Sequence, residues 1–249
     1  MFDFNNKVAI ITGAAQGIGK ETARGVIEGG GKVVICDINE EIGNATKNEF
    51  GDSAYFYKID LGDSKNIRQV IKQILTDMDH VDVLINVGGV ISKNSFENIS
   101  DEEWERTIRI NLTGTFTTCS EIFPYFKEQG KGRIVNISSV AGKIGGGLLG
   151  TAAYASSKAG VNGLTKAIAK EGGKYGISCN AVCPSFTHTS MTTSLSEDAE
   201  KNAKVISMIP LGRAAEPSEI AQMILFFASD AASFVNGEIG DCDGGIVLD

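Results

Sequence analysis

Tyr154 and Lys158, in the stretch Tyr154-Ala-Ser-Ser-Lys158, are the first residues whose types and spacing could do chemistry. Side chains four apart stand one above the other on a single helix face. A phenol ordinarily holds its proton up to a pH of roughly 10. A neighbouring ammonium favours the phenolate and draws that value toward neutrality. The pair could therefore pass a proton to or from an oxygen in an alcohol/carbonyl interconversion. An amphipathic helix with a packed tyrosine and a solvated lysine has the same spacing. The chemical reading therefore requires a hydride carrier, a polarising group and a pocket from the rest of the chain.

The N-terminal stretch suits a carrier. Val8 to Ile11 reads as a short buried strand, followed by Thr12-Gly-Ala-Ala-Gln-Gly-Ile-Gly19 and helix-forming residues through Glu28. Glycines in such a turn let the backbone approach a phosphate, and the helix start offers free N–H groups and a positive dipole end. The spacing G-x-x-x-G-x-G is a variant of G-x-G-x-x-G, and a plain structural turn is the competing reading. Gly29 to Gly31 ends the helix, and Lys32 to Cys36 reads as a second strand. Asp37 follows it, where a carboxylate accepts hydrogen bonds from adenosine ribose hydroxyls and repels a 2′-phosphate. Its neighbours Ile38 and Asn39 carry no positive charge, so the expected cofactor is NAD rather than NADP.

Strand and helix go on alternating. Ala54 to Ile59 reads as a strand ending at Asp60, Ser64 to Met78 as a helix, and Val81 to Ile85 as a strand ending at Asn86-Val-Gly-Gly89. Ser100-Asp-Glu-Glu103 has capping-box spacing and opens one long helix that carries Trp104, Asn111 and Phe116 to Gly130. Arg133 to Ile137 is a strand ending at Ser138-Ser139. A loop with Gly145 to Gly147 leads to the Tyr154 helix, and Ile177 to Val182 is a strand ending at Cys183-Pro-Ser185. The pattern predicts an α/β fold: one Rossmann-like, doubly wound parallel sheet with helices on both faces, spanning residues 1–249 as a single domain. Ligands of such sheets bind outside the C-terminal strand ends. Gly13, Asp37, Asp60, Asn86, Ser139 and Pro184 all fall at that edge.

Composition bounds the partners. The 249 residues carry 42% hydrophobic and 22% charged residues, enough for a sizeable core, and a formal net charge of -8. That acidity argues against binding a nucleic-acid backbone. The start of the chain does not resemble a signal peptide, and no apolar run approaches the roughly 18 residues of a membrane span. Five cysteines without a Cys-x-x-Cys pair suggest reduced thiols and a cytoplasmic setting. Cys179 and Cys183 could be read as metal ligands, but His80 and His188 form no cluster with them. Buried small hydrophobes is the better reading, and no metal is expected.

Thr12-Gly13 with Gly17 and Gly19, Asn86-Val-Gly-Gly89, the set Asn111, Ser139, Tyr154 and Lys158, and the tail Phe227-Ala-Ser-Asp-Ala-Ala-Ser through Asp243-Gly-Gly245 together resemble the short-chain dehydrogenase/reductase family. The resemblance implies roles. Tyr154 would exchange the proton with substrate. Lys158 would lower the phenol's pKa and hold the nicotinamide ribose. Ser139 would hydrogen-bond the substrate oxygen, and Asn111 would hold a water linking the lysine to solvent. An amide bonded to backbone is the alternative for Asn111. The implied cofactor contacts are Gly13, Gln16, Gly17, Ile18, Gly19, Asp37, Asp60, Leu61, Asn86, Gly88, Tyr154, Lys158, Pro184, Thr187 and Thr189. Residues 185–212 resemble the family's substrate lid. There Met191, Leu195, Met208 and Ile209 could line an apolar pocket or be ordinary core, and His188 could touch substrate or solvent. Relatives of this kind are commonly homotetramers.

Two positions depart from the family pattern. Val87 replaces a second asparagine, and Ser185 replaces the glycine usual after Pro184, where serine would be strained if φ were positive. The expected activity is hydride transfer between NAD(H) and a secondary alcohol or ketone, with hydroxysteroids, bile acids, sugar or polyol derivatives as candidates. The alternatives are an NADPH-dependent 3-oxoacyl carrier-protein reductase and, from another class, a non-catalytic dinucleotide sensor or scaffold.

Overall fold

The computed structural model describes residues 2–146 and 150–248. Gly147 of the expected glycine-rich loop lies outside them. The strands are β1 (Val8–Thr12), β2 (Lys32–Asp37), β3 (Ala54–Lys58), β4 (Val83–Asn86), β5 (Gly132–Ile137), β6 (Ile177–Pro184) and β7 (Ile239–Cys242). All pair in parallel in the order β3-β2-β1-β4-β5-β6-β7. The chain starts in the middle of the sheet and winds outward both ways, so a crevice opens where the winding reverses, between β1 and β4.

The helices are α1 (Gly17–Glu28), α2 (Glu40–Phe50), α3 (Ser64–Asp77), α4 (Asp101–Ile108), α5 (Gly114–Gln129), α6 (Ala141–Ile144), α7 (Ala152–Gly172), α8 (Thr193–Ser196), α9 (Ala199–Ile206) and α10 (Pro217–Ala228). Successive strand residues point to opposite faces, and here both faces are covered. Ala9, Ile11, Val33 and Ile35 pack with Ala23 and Val26 of α1 and with Ile220, Ile224 and Leu225 of α10. Val8, Ile10, Val34 and Cys36 pack on the other side with Ile67, Ile71 and Ile74 of α3 and with Ile122 and Phe126 of α5. That is why these strands read as unbroken apolar runs. Among the described residues no helix is long and apolar enough to cross a membrane.

The expected continuous helix from Ser100 to Gly130 is interrupted. Residues Arg109–Thr113 form a π turn between α4 and α5. A wider turn of this kind shifts which residues face which neighbour without ending the rod. The capping box at its start is half formed. Ser100 Oγ accepts the Glu103 N–H at 3.2 Å, but the Glu103 carboxylate takes the Ser92 hydroxyl and the Asn94 amide. It thereby ties the segment after β4 to α4.

One polar chain crosses the hydrophobic layer. Asn86 and Asn136 face each other in β4–β5 register. The Asn86 amide donates to Asn136 Oδ1 at 2.9 Å, and Asn86 Oδ1 accepts the Thr118 hydroxyl at 2.8 Å. Asn136 passes its own N–H to Thr165 Oγ1 at 3.0 Å. An Asn86→Ala substitution removes both of these buried bonds, leaving Asn136 Oδ1 with the Cys119 thiol at 3.8 Å and Thr118 with the Thr115 carbonyl at 2.9 Å. It should lower unfolding stability by about 1–3 kcal/mol in urea titrations, with the midpoint, not the slope, carrying the change.

Candidate active site

A cleft of about 440 Å3 lies over the β1/β4 crevice. One end is built for phosphate. Gln16, Gly17, Ile18 and Gly19 line it at the start of α1, whose first turn has no side-chain cap and no acidic residue. Its leading N–H groups are therefore available to an anion. Gly13 has φ +66°, and a Cβ there would sit 2.6 Å from Gly88 Cα. The two glycine backbones meet with no room for a side chain, which lets the β1 and β4 ends close up beside the start of α1. Asp37, Asp60 and Leu61 line the adjoining side. Asp37 is held at the end of β2, one oxygen accepting the Ala15 N–H at 3.1 Å and the other the Asn39 N–H at 3.0 Å. Leu61 is wedged between glycines: a Cβ on Gly88 would meet Leu61 Cδ1 at 2.6 Å, and one on Gly114 its carbonyl oxygen at 2.7 Å. These residues fit a nicotinamide dinucleotide.

At the other end Ser139, Tyr154, Lys158, Pro184, Thr187 and Thr189 share the cleft. The two serines after β5 part company, as the strand pleat predicts. Ser138 donates to the Lys158 carbonyl at 3.0 Å, whereas the Ser139 hydroxyl faces the Pro184 carbonyl at 3.5 Å and lines the cleft beside Tyr154. Lys158 is buried, and its ammonium donates to the Ile137 carbonyl at 2.7 Å. It stands 5.7 Å from the Tyr154 ring centroid.

The titration of the pair differs from the sequence expectation. Loss of water around the phenol pushes Tyr154 above its ordinary value; the Ser139 hydroxyl opposes this, and the buried Cys183 thiol adds to the rise. Burial takes Lys158 down to about 8. Desolvation penalises the charged form of both groups, so the lysine on its own does not draw the phenol toward neutrality.

Asn111 and Asn86 stand back from the cleft. Asn111 sits in the π turn, where its Oδ1 accepts the Val90 N–H at 2.8 Å. Its Nδ2 donates to the Val90 carbonyl at 2.8 Å and to Ser157 Oγ at 3.1 Å. Its side chain is thus bonded to backbone. It still shares the Lys158 neighbourhood, since a Cβ on Gly89 would lie 3.0 Å from Asn111 Oδ1 and 3.7 Å from Lys158 Nζ. The Asn86 amide belongs to the interior chain with Asn136 and Thr118. Val90 and the Ile137 carbonyl, which orient Asn111 and Lys158, were not foreseen. Both act through backbone atoms, which leave no mark in side-chain type.

Ser185 is unstrained: among the described residues only Asn6 combines a side chain with positive φ. His188 is exposed and packs edge-on against Phe186 at 5.5 Å. Cys179 and Cys183 are both buried.

Residues 13–247 match the family model described as Enoyl-(Acyl carrier protein) reductase. The chain is 40% identical to the 3-oxoacyl-[acyl-carrier-protein] reductase FabG of Thermotoga maritima over 245 residues, 97% of this chain and 98% of that one. It is 35% identical to the acetoacetyl-CoA reductase of Shinella zoogloeoides, over 96% and 98% of the two chains. A crystal structure of a gluconate 5-dehydrogenase from Burkholderia cenocepacia, in complex with NADP and tartrate, superposes with a TM-score of 0.93 at 30% identity, covering 98% of this chain and 96% of that one. The chain belongs to the short-chain dehydrogenase/reductase family. It is an oxidoreductase of CH–OH and keto groups that uses a nicotinamide dinucleotide.

The depressed Lys158 value carries a sign that can be measured. Below about pH 8 the ammonium is charged both folded and unfolded, so its burial costs stability in full. Between about 8 and the ordinary 10.5 the unfolded state binds more protons and stability rises. Lys158→Met should therefore stabilise the cofactor-free protein in urea unfolding at pH 7, and the gain should shrink as pH approaches 10.

Proposed function

We propose that the protein reduces 3-oxoacyl thioesters to 3-hydroxyacyl thioesters with NADH. The observation that carries the substrate class is the apolar wall that shares the cleft with Tyr154. Ile144, Met191, Val205, Met208 and Ile246 line it. A gluconate carries a hydroxyl on nearly every carbon and needs matching polar groups, which this wall does not offer. An acyl chain needs none. The activities of the FabG and acetoacetyl-CoA reductase relatives support the same choice over the hydroxysteroids and polyols expected from sequence.

A nicotinamide dinucleotide held in the cleft would supply hydride to the carbonyl carbon. Tyr154 donates its phenolic proton to the carbonyl oxygen, and the Ser139 hydroxyl hydrogen-bonds that oxygen as charge gathers on it. The raised phenol value keeps the proton in place until the substrate oxygen arrives. Lys158 spends one N–H on Ile137 and keeps two for the ribose and the phenol side of the cleft. Asn111 holds the Val90 backbone against α7 and so keeps Lys158 in position. Thr187 and Thr189 face the nicotinamide end, and Gly13, Gln16, Gly17, Ile18, Gly19, Gly88, Asp60 and Leu61 hold the remainder.

Asp37 selects NADH. Its carboxylate occupies the position a 2′-phosphate would approach, and two backbone N–H groups fix it there. The repulsion between two anions at close range is worth on the order of a few kcal/mol at a protein surface.

Initial rates with acetoacetyl-CoA, a 3-keto sugar acid and a 3-ketosteroid, each with NADH and with NADPH, test the whole reading. The expected result is fastest turnover of the thioester with NADH. Turnover of the steroid or sugar acid alone overturns the substrate class, and equal or better use of NADPH overturns the cofactor assignment. Asp37→Ser should shift the NADPH:NADH ratio of kcat/KM upward by roughly tenfold or more. Tyr154→Phe should retain dinucleotide binding in calorimetry and lose at least ~100-fold in kcat; unaltered turnover would favour a dinucleotide sensor.

A further inference from the structure

The chain returns to the cleft at its C-terminal end. After β7, Asp243 is buried, and its carboxylate accepts two backbone N–H groups: Gly245 at 2.8 Å and Val247 at 2.7 Å. This folds residues 243–247 into a tight turn. Gly244 and Gly245 have φ +70° and +93°, so the turn needs glycine at both positions. The outer side of the turn rests on the end of the segment over the cleft. The Leu211 N–H donates to the Gly244 carbonyl at 3.1 Å. A Cβ on Gly245 would lie 3.2 Å from Pro210.

The same turn is fastened at the root of that segment by the residue that departs from the family pattern. Ser185 Oγ donates to the Asp243 carbonyl at 2.9 Å. Ser185 follows Pro184, whose carbonyl accepts the Val140 N–H at 3.1 Å beside Ser139. The strap thus joins both ends of residues 185–212 within a few residues of the reacting hydroxyls. Ile246, between the two N–H groups that Asp243 holds, projects into the cleft and packs on the cluster of Phe186, Leu195, Val205 and Ile209.

We infer that Ile246 sets how large an acyl group the cleft admits, and that Asp243 and Ser185 are positioning residues that hold it there. The inference rests on the proposed function for the kind of substrate, but not for the existence of the strap. A side chain that only closed off the end of the chain would not need to face the cavity. A turn that only ended β7 would not need its backbone carbonyl tied to Ser185.

Two measurements on the full-length protein test it. The first is kcat/KM along a series of 3-oxoacyl-CoA substrates from four to ten carbons. Ile246→Ala should raise the long-to-short ratio roughly tenfold, as expected for a few methylene equivalents in an apolar pocket, and Ile246→Phe should lower it. Ser185→Ala and Asp243→Asn should move the ratio in the same direction as Ile246→Ala, mainly through KM, and Ser185→Thr should restore it. The milder Ile246→Val should show a smaller shift of the same sign. An unchanged ratio in well-folded Ile246→Ala overturns the inference.

The second measurement is amide hydrogen exchange on the cofactor-free protein. Asp243→Asn and Ser185→Ala should speed exchange at residues 205–212 while β1 and β4 stay protected. No change at 205–212 overturns the strap. If the wild type reduces no 3-oxoacyl thioester, the proposed function fails on its own. The size comparison is then made on whichever ketone series the wild type does reduce, and the exchange measurement stands unaltered.

Discussion

The site is organised by the placement of a lysine ammonium where water is scarce. Among the described residues the Lys158 ammonium donates to one carbonyl, that of Ile137, at the end of β5. To bring it there α7 must lie flat on the sheet. Ser138 secures the same helix turn by donating to the Lys158 carbonyl, so the strand end grips both the backbone and the side chain of one residue. Tyr154 lies one turn earlier on the same helix and has no independent freedom to leave. A buried cation held by one neutral acceptor is costly alone. On the proposed reading, ribose hydroxyls would add acceptors, and cofactor binding would then be coupled to the state of the proton donor.

Much of this was legible in the chain. The apolar runs of β1, β2, β4 and β5 and the glycine punctuation predict a doubly wound sheet, and the residues after each strand converge on one rim as that topology requires. Illegible were the features set by backbone geometry. Nothing in Arg109-Ile-Asn-Leu-Thr113 announces a π turn, because the register shift arises from how α4 and α5 pack on different neighbours. Residue type marked Asn86 and Asn111 as polar and well placed, but whether an amide faces a cleft or a carbonyl is decided by tertiary packing. The phenol's titration was misjudged for the same reason: spacing brings two charges together on paper, while burial weighs on both.

Selectivity within this family is layered on a shared frame. Relatives that act on a carrier-protein thioester, a CoA thioester and a sugar acid all match nearly the whole chain. The shared sheet therefore cannot distinguish them. Under the proposed function the discriminating positions are peripheral: Asp37 at the end of β2 and the apolar cleft residues between β6 and the C-terminus. Such a division would let the rigid parts set the reaction and the late parts of the chain set what undergoes it.

The pairing of Asn86 with Asn136 has a consequence for how the sheet assembles. Sliding β4 past β5 by a single position would swing one amide into hydrocarbon on the opposite layer with nothing to bond. Greasy strands rich in valine and isoleucine tolerate misalignment poorly policed by shape alone. A matched couple of amides at the centre makes one alignment far better than its neighbours. In this molecule the interior asparagines act as a ratchet for strand order, ensuring that the rim residues finish level with each other.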